Sequence, residues 1–205
     1  MMIIITGTPG TGKTSVTCEL KKKFDAEYIS INSLLDRYNL NLGVDKKRGY
    51  KIVDTDGMIP IIDEIRKKTS HKTIIFEGHL AQDYPSADKV IVLRCNPEVL
   101  RERLHKRRWS EEKVDENVSA EILGVCTSES YELYSDKVEE IETDDKSISE
   151  LSDEIVKVIE GDARYPVGNI DYLEKYFSLL TVWITFWIFE DSFFSKFPLN
   201  YLLRL

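Results

Sequence analysis

Met2-Ile3-Ile4-Ile5 runs through Thr6 into Gly7-Thr8-Pro9-Gly10-Thr11-Gly12-Lys13-Thr14. The apolar run predicts a buried strand. The octet behind it matches G-x-x-x-x-G-K-[ST], the loop that cradles phosphates between such a strand and a helix. Gly7, Gly10 and Gly12 tolerate positive φ and let the backbone come close to a phosphate, so the freed N–H groups point inward. Those donors and the positive end of the following helix make an anion site, to which Lys13 adds a mobile point charge for the β- and γ-phosphates. Pro9, Thr11 and Ser15 complete the stretch expected along the nucleotide, and Thr14 offers a hydroxyl to Mg²⁺. The pattern predicts binding of a nucleoside triphosphate.

Working outward, Ser15 to Lys23 reads as the first helix and Glu27 to Ile31 alternates as a second strand, with a short helix after Asn32. Tyr38 to Tyr50 is polar, carries Gly43 and Gly49, and reads as an irregular insert of the kind that holds a second substrate in small kinases. Asp56 to Lys68 reads as a helix with Pro60 in its first turn, followed by strands at Lys72 to Phe76 and Val90 to Leu93. Pro97 opens a helix to Lys106. A long helix starts at Ser110, with Val114, Val118, Ile122 and Val125 on its inner face. Val138 to Glu142 is the fifth strand, and Ser147 with Glu150 caps a helix running to Glu160. Alternating strands and helices behind a phosphate loop predict an α/β P-loop NTPase fold: a five-stranded parallel sheet flanked by helices. The active site then lies at the carboxyl ends of the strands.

The chain has 205 residues, enough for one domain with a substantial core, and a second domain is not required. A net charge of −8 disfavours tight, sequence-independent nucleic-acid binding and favours a basic protein partner. Cys18, Cys95 and Cys126 show neither C-x-x-C spacing nor disulfide density, which argues against a zinc site. With no signal-peptide pattern ahead of the Met2 strand, a cytoplasmic location is expected, or a nuclear one as well in a eukaryote.

Ile74-Ile75-Phe76-Glu77-Gly78-His79 places an acid at the end of a buried strand. A carboxylate there can hold a hydrated Mg²⁺ or orient an attacking group. His79, two residues on, shares its side of an extended chain and can position a nucleophile or shuttle a proton near neutral pH. Arg103 and Arg107 lie four apart in Leu100 to Trp109, on one helical face, where their forks suit the oxygens of a moving phosphoryl group. A solvated basic helix end is the competing reading.

These residues resemble the adenylate kinase isoenzyme six family. The resemblance rests on the loop, on Glu77-Gly78-His79, on the turn from Leu104 to Trp109 followed by Ser-Glu-Glu-Lys, and on Glu116-Asn117-Val118-Ser119-Ala120-Glu121-Ile122. It covers about residues 1 to 172 and leaves 173 to 205 as an extension. It implies a compact nucleoside-monophosphate-kinase-like fold with a short lid, and phosphoryl transfer between ATP and AMP with Mg²⁺. It also implies slow ATP hydrolysis and binding of a basic small-subunit ribosomal protein during rRNA maturation. Carried over by residue, it assigns catalysis to Lys13, Glu77, His79, Arg103 and Arg107, and the metal to Thr14 and Glu77. AMP binding falls to Arg37, Gly43, Asp54 and Asp56, with Asp45 in the same insert. Glu142 to Ser147 resembles the turn beside adenine. Arg108 stands where the family has glycine, and Glu77 where Asp is commoner.

Tyr176 to Phe189 carries no charge over 14 residues, short of the ~20 that span a bilayer. Three readings stay open: a helix docked on the domain or on a second copy, an interfacial anchor, or an extension without a selected role. Trp183 and Trp187 share a helical face, as an anchor or an interface would use. For function, an ATP–AMP phosphotransferase stands first. An ATP-gated assembly factor with little turnover stands second, and a kinase for another small acceptor third.

Overall fold

The computed structural model describes residues 1–44, 51–69 and 72–188. β1 (Met2–Thr6) lies at the centre of a five-stranded parallel sheet. On one side it pairs with β5 (Ile74–Glu77), which pairs in turn with β2 (Glu27–Ser30). On the other it pairs with β6 (Lys89–Arg94), itself paired with β7 (Val138–Glu142). The order β2-β5-β1-β6-β7 is the expected parallel α/β sheet.

Because side chains alternate along a strand, β1 feeds two cores. Ile3 and Ile5 pack with Val16 and Leu20 of α1 (Lys13–Lys23) and with Ile155 of α7 (Ile148–Glu160). Met2 and Ile4 pack with Met58 and Ile62 of α3 (Thr55–Lys68), and with Phe76 and Tyr84. Each isoleucine so buried contributes about 1.5–3 kcal/mol.

A third core joins α4 (Pro97–Lys106) and α5 (Glu111–Ile122) to α8 (Leu173–Ile188), through Leu100, Leu104, Val114, Val118, Tyr172, Tyr176 and Leu180. The start of the extension is thus docked on the domain. The Tyr176 hydroxyl accepts from Asn96 Nδ2 at 2.8 Å, and the helix is kinked at Tyr176. Phe189 onward lies outside the described residues. Among the described residues no helix is long and apolar enough to cross a membrane.

Several boundaries differ from the sequence reading. α1 begins at Lys13, because the loop's last glycine leads directly into helical backbone. Ile31 closes no strand and instead opens α2 (Ile31–Tyr38), since the Ser30 hydroxyl accepts from Ser33 N and caps that helix. The insert is not wholly irregular: β3 (Asn41–Val44) and β4 (Lys51–Val53) form an antiparallel pair. Asp45, Gly49 and Tyr50 lie outside the described residues. Pro60 sits inside α3, beyond its first turn, because Asp54 caps the helix early by accepting from Gly57 N at 2.8 Å. The long helix after Ser110 breaks at Gly124, which takes φ +62, so Val125 starts α6 (Val125–Tyr134) and does not extend the inner face of α5.

Candidate active site

The glycines of the loop divide the work. A Cβ on Gly7 would lie 2.4 Å from the Leu93 carbonyl oxygen, and one on Gly10 would lie 2.7 Å from Leu100 Cδ1. These two let the loop press onto β6 and α4. Gly12, at φ +103, faces open space and caps α1 without a side chain, leaving the helix's first N–H groups to an incoming anion. Pro9 is half-buried at the loop's rim, Thr11 is buried, and Thr14 and Ser15 are exposed on the first turn of α1. Lys13 folds over the loop, donating to the carbonyls of Gly7 at 2.6 Å and Thr8 at 3.0 Å. Burial pushes its pKa down to about 8, against the attraction of Glu77 and Glu121.

Glu77 ends β5 in register with Ile5, beside the start of the loop. It is buried, and desolvation raises its pKa while Lys13 and a hydrogen bond from Thr14 pull it down. Thr14 and Glu77 therefore present two hard oxygen ligands side by side. That fits Mg²⁺, which takes one or two protein oxygens and completes its shell with water and phosphate. Among the described residues no group of three or more His, Cys, Asp or Glu could hold a metal ion.

Gly78 turns the chain at φ +155, and His79 leaves the line of the strand. Its ring bonds the Gly7 carbonyl, and Nδ1 lies 3.8 Å from Cys126 Sγ. Desolvation and then Lys13 push the imidazole down to about 4, so it is neutral at pH 7 and does not titrate near neutrality as the sequence suggested. Cys126, beneath the loop, is pushed up to about 12, chiefly by burial, and is an inert thiol.

The two arginines do not converge on one target. Arg107, exposed at the end of α4, acts electrostatically on Lys13, and its guanidinium lies 6.0 Å from the Trp109 ring. Arg103 donates to Cys95 Sγ and Thr143 Oγ1, both at 3.3 Å, and so holds the turn after β7. Asp144 Oδ2 accepts from Asn96 N at 2.5 Å in the same turn. The short lid between α4 and α5 carries Arg108 at φ +58, the left-handed conformation that glycine adopts freely. Of the AMP candidates, Arg37 is exposed, 5.5 Å from the Tyr38 ring, and its charge is felt by Lys68. Gly43 shapes β3 at φ +132, Asp54 caps α3, and Asp56 is exposed in its first turn.

Sequence reading missed a buried charged cluster behind the loop. The Arg94 guanidinium bonds Glu121 at 2.8 Å and Glu140 at 2.5 Å, with its Cζ 5.2 Å from the Tyr172 ring. One signal was available. Glu121 falls seven residues after Val114 and three after Val118, on the apolar face of its helix.

A phosphate loop after β1, an acid ending the neighbouring strand and a lysine between them define a P-loop phosphotransferase. Residues 3–124 match a family model described as an AAA domain. A protein of Methanocaldococcus jannaschii described as "Putative adenylate kinase" is 40% identical over 182 residues, covering 89% of this chain and 98% of that one. One of the same description from Methanothermobacter thermautotrophicus is 39% identical, covering 83% and 96%. The chain belongs to the family of these archaeal proteins. Among solved structures, a shikimate kinase from Acinetobacter baumannii matches at a TM-score of 0.55 and 17% identity over 78% of this chain and 93% of that one. A deoxyadenosine kinase from M. mycoides matches at 0.51 and 18% over 78% and 100%. Both establish the kinase-like fold.

Proposed function

We propose that this protein is an adenylate kinase that transfers the γ-phosphoryl group of ATP to AMP, with slow ATP hydrolysis when water replaces the acceptor. The observation that carries this is the juxtaposition of Lys13, Thr14 and Glu77 at the mouth of the glycine loop. The relatives' descriptions supply the acceptor. The loop amides and Lys13 bind and orient the β- and γ-phosphates, where fixed donors stabilise charge that develops during transfer. Thr14 and Glu77 would hold Mg²⁺, whose chemistry is to neutralise charge on the phosphate oxygens. Arg107, poised near Lys13, reaches the moving group when the lid closes and excludes water. His79, neutral and bonded to Gly7, orients the acceptor or a water by hydrogen bonding. AMP is assigned to the insert side, near Arg37, Gly43, Asp54 and Asp56.

A coupled assay over the nucleoside monophosphates, with Lys13→Ala as control, tests the activity. ADP is expected with AMP, and no ADP with any monophosphate would overturn it. Three free cysteines support a reducing, cytoplasmic setting.

A second reading is favoured by the net charge of −8: an ATP-gated assembly factor that grips a basic small-subunit ribosomal protein in rRNA maturation. Pull-down of small-subunit ribosomal proteins with and without ATP tests this. Equal recovery in both arms would remove the gating.

A further inference from the structure

Thr8 is one of the variable positions of the phosphate-loop motif, yet it is 1% exposed and tied on both sides. Its hydroxyl donates to Glu121 Oε2. Its carbonyl accepts from Lys13 Nζ at 3.0 Å, from Thr11 Oγ1 at 3.0 Å and from Thr11 N at 3.2 Å. That carbonyl and the Gly7 carbonyl, which accepts from Lys13 Nζ at 2.6 Å, together orient the lysine that meets the phosphates.

The partner on the other side is buried and bonded several times over. Glu121 is 1% exposed, and its Oε1 accepts from Arg94 Nε at 2.8 Å and from Cys95 N at 3.0 Å. The Glu121 main-chain oxygen takes Arg94 Nη2 at 2.9 Å. Arg94 is held in turn by Glu140 Oε1 at 2.5 Å, and Glu140 Oε2 by Gly168 N at 3.0 Å. Every oxygen of the Glu121 carboxylate is used. One faces the fixed frame of β6, and the other faces the loop.

We infer that Glu121 is a positioning residue for phosphate binding: anchored by Arg94 and the Cys95 amide, it holds the Thr8 hydroxyl and so aims the Thr8 carbonyl and Lys13 at the nucleotide. A core ion pair that merely stabilised α5 would be complete with Arg94 alone. The hydroxyl link is what joins the pair to the loop, and charge-assisted bonds of this kind are the strong ones. The inference rests on the reading of Gly7–Thr14 as an ATP site.

Thr8→Val removes the hydroxyl at nearly constant shape and leaves the Arg94–Glu121 pair in place, while Thr8→Ser keeps the hydroxyl. Calorimetry with MgATP and initial rates against ATP and AMP are measured for both. Thr8→Val is expected to weaken MgATP binding about tenfold and raise the ATP KM similarly, with the AMP KM unmoved. Thr8→Ser is expected within about twofold of wild type. Glu121→Leu, which has no polar atom to meet the hydroxyl, should resemble Thr8→Val, and the double variant should be no worse than the poorer single one, since either change breaks the same link.

MgATP affinity of Thr8→Val within twofold of wild type would overturn the inference. So would a Thr8→Ser defect as large as that of Thr8→Val, or effects that multiply in the double variant. Should Glu121→Leu fail to fold, the Thr8 pair decides by itself. A failure to phosphorylate AMP would sink the kinase reading and leave the affinities readable. Absence of MgATP binding by wild type would overturn both.

Discussion

The phosphate loop and the β3–β4 pair are built in opposite ways. The loop is buried and cross-tied: Thr8 to Glu121, Lys13 to two carbonyls, Gly10 against Leu100. The hairpin shows Leu42 at 66%, Val44 at 53% and Ile52 at 46% exposure, and its register shifts between Asn41 and Gly43. A donor cradle gains from fixed dipoles, because no reorganisation is then needed as charge develops. On the proposed assignment of AMP to the β3–β4 side, admitting and releasing the acceptor would gain from a segment with few buried contacts, which opens at low free-energy cost. Rigidity and looseness are thus assigned to different strands of one fold.

The sharpest way to break this contrast is Lys13→Ala. Turnover should fall about 10²–10³-fold, with little change in melting temperature, because the loop's other ties remain. A large loss of stability instead would show that Lys13 holds the loop more than the phosphate. Next in size, Glu77→Gln should cost about 10²-fold in kcat and weaken the dependence on added Mg²⁺. Its stability should be equal to wild type or higher, since burial already penalises the carboxylate. Magnesium titration of initial rates, beside thermal melts, checks both halves.

On the loose side, the pair Leu42→Ser and Ile52→Ser should raise the AMP KM a few-fold and leave the ATP KM alone. Stability should stay within about 0.5 kcal/mol, as for other exposed positions. A comparable rise in the ATP KM would mean that hairpin and loop are not separate. The smallest effect is expected at the lid. Arg108 holds φ +58, which costs a side-chain residue about 1–2 kcal/mol, and glycine gives back part of that through a freer unfolded chain. Arg108→Gly should therefore stabilise by about 0.5–1 kcal/mol in chemical denaturation. Destabilisation would place the Arg108 side chain in a contact that matters more than its backbone.

Much of the frame was legible along the chain. β-branched runs announced the strands, and Ser147 with Glu150 announced α7, because a capping box is closed within a few residues. The strand–loop–helix course and the place of Glu77 at the end of β5 were legible for the same reason: a motif and a strand end fix their own local geometry. Where distant partners decide, the reading stopped short. Arg103 and Arg107 share a spacing, but Thr143, forty residues on, captures the first and leaves the second. The chemical character of His79 was hidden because its pKa depends on Lys13 and on lost hydration. The break in the helix at Gly124 was missed, since Val125 fits the same periodicity as Val114 and Val118.

Local covalent pattern alone therefore determined that a triphosphate cradle opens the chain and that a parallel α/β sheet carries it. Those features depend on φ freedom, branching and spacing over a few residues. Tertiary structure decided which charges face the loop: Glu121 and Arg94 lie 27 positions apart and meet only because α5 folds across the end of β6. Buried ionisable groups need partners, and no run of neighbouring letters names a partner brought in by the fold.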